Sequence, residues 1–191
     1  MRLIERSEIV DYVTYEETRE VFRREVLAEK ARRRIHVGEY FTFLFENTLT
    51  IRYQIQEMMR IEQIIREKDV LHEIATYNGI LAEAGELGCT LMIGIDDEQD
   101  KDLKLLAQIH LPEHIYAVIG DGTRIYPKFQ AAHRGETRLA SVQYLRFPVK
   151  GRTPIAIGID LPVFKAETTL TEDQRSALNK DLGVEPTQAH L

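Results

Sequence analysis

Hydrophobic and polar residues along this chain recur with two different periods. In the first third the apolar residues return every three or four positions, which indicates helices. The stretch Thr14-Tyr15-Glu16-Glu17 has the Thr-x-x-Glu spacing of a capping box and predicts an N-terminal helix that runs to about Arg32. Residues 33–45 then predict a hairpin, because alternating apolar residues and an aromatic, β-favouring run lie on either side of Gly38.

The strongest helical pattern lies in the centre of the chain, at residues 48–68. This segment contains no glycine or proline, and Asn47 or Thr48 is suited to be its N-cap. Four apolar side chains share one stripe of the predicted helix: Ile51, Ile55, Met58 and Ile65. We therefore expect a long central helix that packs on a sheet through this stripe.

Strand patterns dominate the remaining sequence, where we predict strands or hairpins in four segments: 89–95, 115–126, 141–149 and 155–159. Further helices are predicted at 96–109 and after Thr171, and residues 183–191 are expected to be frayed. The order of elements lacks the regular alternation of a doubly wound sheet. The sequence thus predicts one α+β domain over 1–191, in which a mostly antiparallel sheet is covered by the central helix, with an N-terminal helix and a short C-terminal helix.

Composition narrows the choice of environment and partner. The 25 basic and 31 acidic residues give a net charge of −6, which disfavours nucleic acid as the main partner. The single cysteine, Cys89, excludes an intrachain disulfide and a cluster held by four thiolates of this chain. The N-terminus becomes polar too early for a signal peptide, and no apolar run approaches the ~20 residues of a membrane span. We therefore predict a cytoplasmic protein without membrane association.

One carboxylate falls on the apolar stripe of the central helix. At about 100° per residue, Glu62 lies among the isoleucines, whereas Arg52 lies on the opposite face. Two interpretations stay open: Glu62 borders the stripe and pairs with Arg66, or it is buried in a functional site with a shifted pKa. Arg146, a charge within an apolar strand, is a plausible partner. The candidate buried polar site consists of four residues: Glu62, Arg146, Glu57 and Arg52.

The remaining candidate chemistry is weak. His110 and His114 have the i, i+4 spacing that lets two histidines share a metal, but Pro112 between them is expected to break the helix this requires. They are weak metal-ligand candidates outside the buried polar site, and the sequence does not identify a cofactor. The basic stretch Arg32-Arg33-Arg34 suits the end of a helix, with nucleic-acid binding as a disfavoured alternative.

Three stretches carry a resemblance to a known family: Phe43–Asn47, Ile51–Glu62 and Ser141–Phe147. Over nearly the whole chain, the sequence resembles an uncharacterised bacterial domain of unknown function. Its genes often neighbour those of a rubrerythrin-like protein and of a cysteine-rich iron–sulfur oxidoreductase. The resemblance implies a cytosolic role linked to redox or oxidative-stress metabolism, but it implies no reaction. The chain has no Glu-x-x-His motif, so the sequence does not support a di-iron site of its own.

The sequence leaves two main hypotheses. The first is an accessory module that binds a small ligand or a redox protein partner, and a homo-oligomer stays open. The second is an enzyme or a metal-binding protein that uses the buried polar site. Burial of Glu62 and Arg146 separates them, because two exposed and distant side chains cannot form a buried site.

Overall fold

The computed structural model describes residues 1–95, 110–129 and 141–183. Four helices are defined within these ranges: α1 (Tyr12–Ala31), α2 (Thr48–Glu62), α3 (Glu67–Asn78) and α4 (Glu172–Leu182). Residues 110–114 are also helical, and Arg6–Glu8 form a 3₁₀ turn. The predicted helix at 96–109 and nearly all of the predicted frayed tail lie outside the described residues. Within the described ranges, no helix has the length and apolar character that crossing a membrane requires.

In the described ranges, nine strands form two antiparallel sheets. The strands are β1 (Arg34–Val37), β2 (Phe41–Phe45), β3 (Leu87–Ile93), β4 (Ile115–Ile119), β5 (Arg124–Ile125), β6 (Lys128–Phe129), β7 (Val142–Phe147), β8 (Pro154–Leu161) and β9 (Phe164–Thr169). The first sheet has the order β1-β2-β3-β7-β6, and the second has the order β5-β4-β8-β9. The α+β fold class is confirmed, with two sheets where we expected one. The two strands that the pattern missed are β6, which has only two residues, and β9, which is mostly polar.

The first helix begins two residues before the predicted capping box. Asp11 is the N-cap of α1, and its carboxylate accepts hydrogen bonds from the backbone N–H groups of Val13 and Thr14. The Thr14 hydroxyl donates to the same carboxylate at 2.7 Å. The capping box at Thr14 is therefore wrong, because the aspartate satisfies the first free N–H groups of the helix.

The predicted long central helix is two helices. Gln63 adopts a left-handed conformation (φ 51°, ψ 45°) and ends α2, after which α3 begins at Glu67. α3 packs back against α2 and the N-terminal segment in an apolar cluster that includes Ile4, Ile55 and Ile74. The prediction of one helix over 48–68 is thus wrong at its C-terminal end, where no glycine or proline marks the break.

The first sheet has two covered faces, and alternate residues supply them. Phe43, Cys89 and Leu145 point into the main core, which the second sheet and α4 close from the other side. The opposite face of the first sheet lies beneath α2 and α3. Because side chains alternate along a strand, each strand of this sheet contributes one set of residues to the core and one to the helix-covered face.

A buried ion pair joins the turn after α1 to the C-terminal helix α4. Arg33, in the turn between α1 and β1, is 1% exposed and binds Asp181 of α4 through two hydrogen bonds of 2.8 and 2.9 Å. Glu29 adds a second carboxylate 2.6 Å from the same guanidinium. Burial raises the pKa of Asp181, and the contact with Arg33 opposes this shift. The pair therefore fixes how α1 enters the first sheet.

Gly88 allows the chain after α3 to cross closely over the first sheet. A Cβ atom at Gly88 would stand 2.4 Å from the carbonyl oxygen of Ile80, a separation that real side chains do not tolerate. That carbonyl belongs to the backbone, so it cannot move aside as the tip of a flexible side chain would. Gly88 thus sets the distance between the α3 end and β3.

We expect Gly88→Ala to destabilise the protein by about 1–3 kcal/mol, the usual cost of overpacking a rigid contact. The measurement is the urea midpoint of unfolding followed by circular dichroism. Gly120→Ala is the matched control, because a Cβ atom there meets nothing within 4 Å. Equal midpoints for the two variants would contradict the close crossing.

Candidate functional site

A cavity of about 290 Å³ opens on the helix-covered face of the first sheet. Its floor comes from three adjacent strands, on which Leu44, Thr90 and Tyr144 lie side by side in the register of the sheet. Met92 and Val142 form the next row of the floor. All five residues alternate with core residues, so the strand period that builds the core also builds the cavity floor.

Two helices and the segment after α3 form the cover of the cavity. Ile51 and Gln54, three positions apart on α2, project from one face of that helix. Tyr77 near the end of α3 and Ile80 just beyond it complete the cover. The position of this cover depends on the close crossing at Gly88. The floor and the cover of the cavity therefore combine apolar side chains with hydroxyl and amide groups.

Glu46 places a carboxylate in the cavity, and two hydroxyl groups bind it. Glu46 directly follows β2 on the side of Leu44 and is 6% exposed. One oxygen accepts a hydrogen bond from Thr50 at 2.5 Å, and the other accepts one from Thr90 at 2.7 Å. A buried carboxylate needs such partners. Because both oxygens are engaged by neutral groups, the negative charge of Glu46 is held without a salt bridge in the described structure.

Two cations line the other side of the cavity. Lys30 lies at the end of α1, and Arg34 begins β1 four residues later. Neither forms a salt bridge with a carboxylate of the described residues. Burial lowers the pKa of Lys30, Glu46 opposes that shift, and Arg34 adds to it as a neighbouring like charge. The Lys30 ammonium also stands 5.1 Å from the centre of the Tyr53 ring.

Two phenols complete the polar lining of the cavity. Burial raises the pKa of Tyr77, although its contact with Gln54 opposes the rise. Burial also raises the pKa of Tyr144, and the neighbouring Tyr77 and Glu46 raise it further. Both hydroxyls are therefore protonated at neutral pH and can donate hydrogen bonds. The cavity combines ammonium, guanidinium and phenol donors with an apolar floor, a combination that suits an anion with a small apolar part.

The structure separates Glu62 from Arg146. Glu62, the last residue of α2, is exposed, so the structure does not support the buried site, one of the two interpretations of this residue. The reason is the helix break, after which the apolar stripe leaves the interior and Ile65 is 75% exposed. Arg146 lies on β7, where it donates a hydrogen bond of 2.6 Å to the backbone oxygen of Gly79. Arg146 thus binds the end of α3 and makes no ion pair with Glu62.

Glu57 and Arg52 lie between α1 and α2 rather than in the cavity. Arg19 binds the Glu57 carboxylate at 2.7 and 3.0 Å, and the Tyr15 hydroxyl donates to it at 2.7 Å. Arg52 stacks on the Phe22 ring at 4.7 Å. The structure therefore does not bring the four candidate residues together, and Glu57 is the one that has a partly buried charge network.

The weak metal candidates belong to a different polar cluster. Helical residues 110–114 include Pro112, so the expected break at this proline is wrong. The His110 and His114 rings lie 6.4 Å apart, and His114 Nδ1 is 2.9 Å from Asp160 on β8. Arg124 binds the other Asp160 oxygen at 2.7 Å. Across the described ranges, no three His, Cys, Asp or Glu side chains are placed to hold a metal ion.

Apart from Arg34 of the basic stretch, the polar residues of the cavity are not candidates from the sequence. Glu46 and Tyr144 occur in stretches that carry the family resemblance, but neither was singled out. The strand period offers the missing signal, because Glu46 follows Leu44 at a spacing of two and so lies on the same face. Two arginines of the basic stretch 32–34 have different environments. Arg33 is buried against Asp181, whereas Arg34 lines the cavity. Arg33 is therefore unavailable to a nucleic-acid phosphate.

Glu57→Gln is expected to destabilise the protein by about 2 kcal/mol at neutral pH, between the values for exposed and fully buried ion pairs. Burial opposes ionisation of Glu57, but Arg19 and Tyr15 hold its pKa below the ordinary 4.5. The contribution of the Glu57 carboxylate to the free energy of unfolding is therefore complete above pH 4.5. It is lost as the pH falls through the pKa that Glu57 has in the folded state. Guanidinium unfolding at pH 7 and at lower pH measures this difference.

Glu62→Gln is the control for that experiment, since its carboxylate is exposed on the same helix. We expect it to change stability by less than about 0.5 kcal/mol. A pH-independent difference between wild type and Glu57→Gln would contradict the assigned charge network.

Comparison with known proteins agrees with the fold and adds no activity. The model of a family described as "Protein of unknown function (DUF3501)" matches residues 3–182. The chain is also similar to a crystal structure of a novel protein of unknown function from Burkholderia pseudomallei, at 25% identity and a TM-score of 0.84, covering 95% of this chain and 100% of that one. No curated protein matches the chain. Because the family model spans almost its whole length, this chain belongs to the DUF3501 family of proteins of unknown function.

Proposed function

We propose that this protein binds a small organic anion in the cavity on the first sheet. The observation that carries the proposal is the unequal pairing of charges there. Glu46 is already satisfied by two threonine hydroxyls, whereas Lys30 and Arg34 form no salt bridge with any described carboxylate. An anion placed between these cations gains two charge-assisted hydrogen bonds, which are among the strongest that proteins form.

The floor and cover favour an organic anion over a bare inorganic one. Leu44, Met92 and Val142 offer apolar contact on one side, and Ile51 and Ile80 offer it on the other. Binding pockets for small molecules usually combine such walls with a few convergent polar groups. The volume of about 290 Å³ lies at the lower end of the usual range of such sites and suits a ligand of modest size.

This proposal is one form of the ligand-binding module that the sequence favours. A cytoplasmic location and a redox-linked accessory role are further proposals, which the family resemblance supports. Binding of a redox protein partner belongs to the same group, and it is compatible with a ligand held beneath α2 and α3. The cavity itself supports anion binding and does not depend on these associations.

Lys30→Gln and Arg34→Gln are each expected to weaken anion binding at least about tenfold, which equals 1.4 kcal/mol. Isothermal titration calorimetry with lactate, succinate and phosphate measures the effect. Lys128→Gln is the matched control, because Lys128 carries the same charge on a side chain that is 72% exposed. Ethanolamine serves as a cationic probe and is expected not to bind. Equal affinities across the three variants, or binding by none of the anions, would contradict the proposal.

At alkaline pH, where part of the Lys30 amine is neutral, binding should also take up protons. An anion beside Lys30 favours its ammonium form and so offsets the burial and the Arg34 charge that lower its pKa. The heat of binding at constant pH should therefore depend on the ionisation enthalpy of the buffer. This dependence should be absent in Lys30→Gln, and its persistence there would assign the proton to another group.

A further inference from the structure

We propose that Lys30 forms a reversible imine with anions that carry an aldehyde or ketone group, 2-oxo acids being the class that fits best. This inference rests on the proposed anion site and adds covalent chemistry to it. The geometry behind it is a half-buried lysine that lines an open cavity, with a second cation and two phenols in the same lining.

The surroundings of Lys30 differ from those of an ordinary surface lysine. Its amine lies over the Tyr53 ring and makes no salt bridge with a described carboxylate. Glu46, the nearest acidic group of the cavity, directs its two oxygens to Thr50 and Thr90. The amine is thus not fixed in an ion pair, and burial favours its neutral, nucleophilic form.

Arg34 supplies the second element of recognition. A 2-oxo acid carries its carboxylate next to its carbonyl group, so an adjacent amine and guanidinium match the two groups of one small molecule. The guanidinium holds the carboxylate, and its planar geometry suits two parallel hydrogen bonds. The carbonyl carbon then faces the Lys30 amine, while Tyr77 and Tyr144 supply hydroxyls to the same cavity.

The proposed step is balanced without an external reactant. The neutral Lys30 amine attacks the carbonyl carbon and forms a C–N bond, while the oxygen takes up a proton and gives a carbinolamine. The C–O bond then breaks, and a C=N bond replaces it. Both hydrogens of the amine leave with the carbonyl oxygen as one molecule of water, and addition of water reverses the reaction.

Reductive trapping tests this inference on the full-length protein. The protein is incubated near neutral pH with glyoxylate, pyruvate or 2-oxoglutarate and cyanoborohydride, which adds hydride to the imine carbon and makes the adduct permanent. We expect a single adduct whose peptide map places it on Lys30, at least about tenfold above the labelling of any other lysine, because the cavity holds the carbonyl group beside this amine. Since the map is read on wild type, the result does not depend on the folding of a variant.

Two comparisons make the outcome decisive. Lys30→Arg should lose the adduct and keep its circular dichroism spectrum, whereas Lys128→Arg should label like wild type. Glycolate, lactate and 2-hydroxyglutarate carry the same charges without the carbonyl group, so they should bind but give no adduct. If the 2-oxo acids and the 2-hydroxy acids both bind but cyanoborohydride traps no adduct, the imine is overturned and the anion site is left intact. Labelling spread evenly over the surface lysines would have the same meaning. Failure of both sets to bind would overturn the anion site and the imine together.

Discussion

The two-sided burial of the first sheet is the constraint on which the rest of this structure depends. One set of alternating residues, such as Phe43 and Leu145, must fill the core against the second sheet. The residues between them are then forced onto the opposite face, where α2 and α3 cover them. A shift of one residue in any strand would exchange the two sets, sending Thr90 into the core and Leu91 into the cavity. The core and the cavity are therefore specified by the same register.

Charge is distributed around this sheet with a clear division of roles. Arg33 is buried and forms ion pairs with Asp181 and Glu29, so it connects α1, the first sheet and α4. Its neighbour Arg34 and the nearby Lys30 have no such described counter-ion and face the cavity. Burying an arginine in a strong ion pair fixes the backbone between two other cations. The buried Arg33 thus has a structural role, and it positions Lys30 and Arg34, the two cations that we assign to anion binding.

The sequence was sufficient for features that a local period specifies and insufficient for those that depend on tertiary contacts. Alternation predicted β1 and the aromatic run predicted β2, where the structure has strands, and the α+β class followed from the order of elements. The helix break at Gln63 has no local glycine or proline signal, since it depends on how α3 packs against α2. Glu62 was misplaced for the same reason. Glu46 and Lys30 meet only after folding, because their spacing along the chain carries no motif.

The long-range pair between Arg33 and Asp181 also bears on the order in which the molecule is completed during synthesis. The two residues are 148 positions apart, so the ribosome must add all of the intervening residues before the arginine can meet this counter-ion. Helices and hairpins of the first part can form earlier from local contacts. The turn that presents Lys30 and Arg34, however, acquires its buried anchor only when α4 docks. The N-terminal third thus carries both cations of the proposed site, while docking of α4 completes the buried anchor between them.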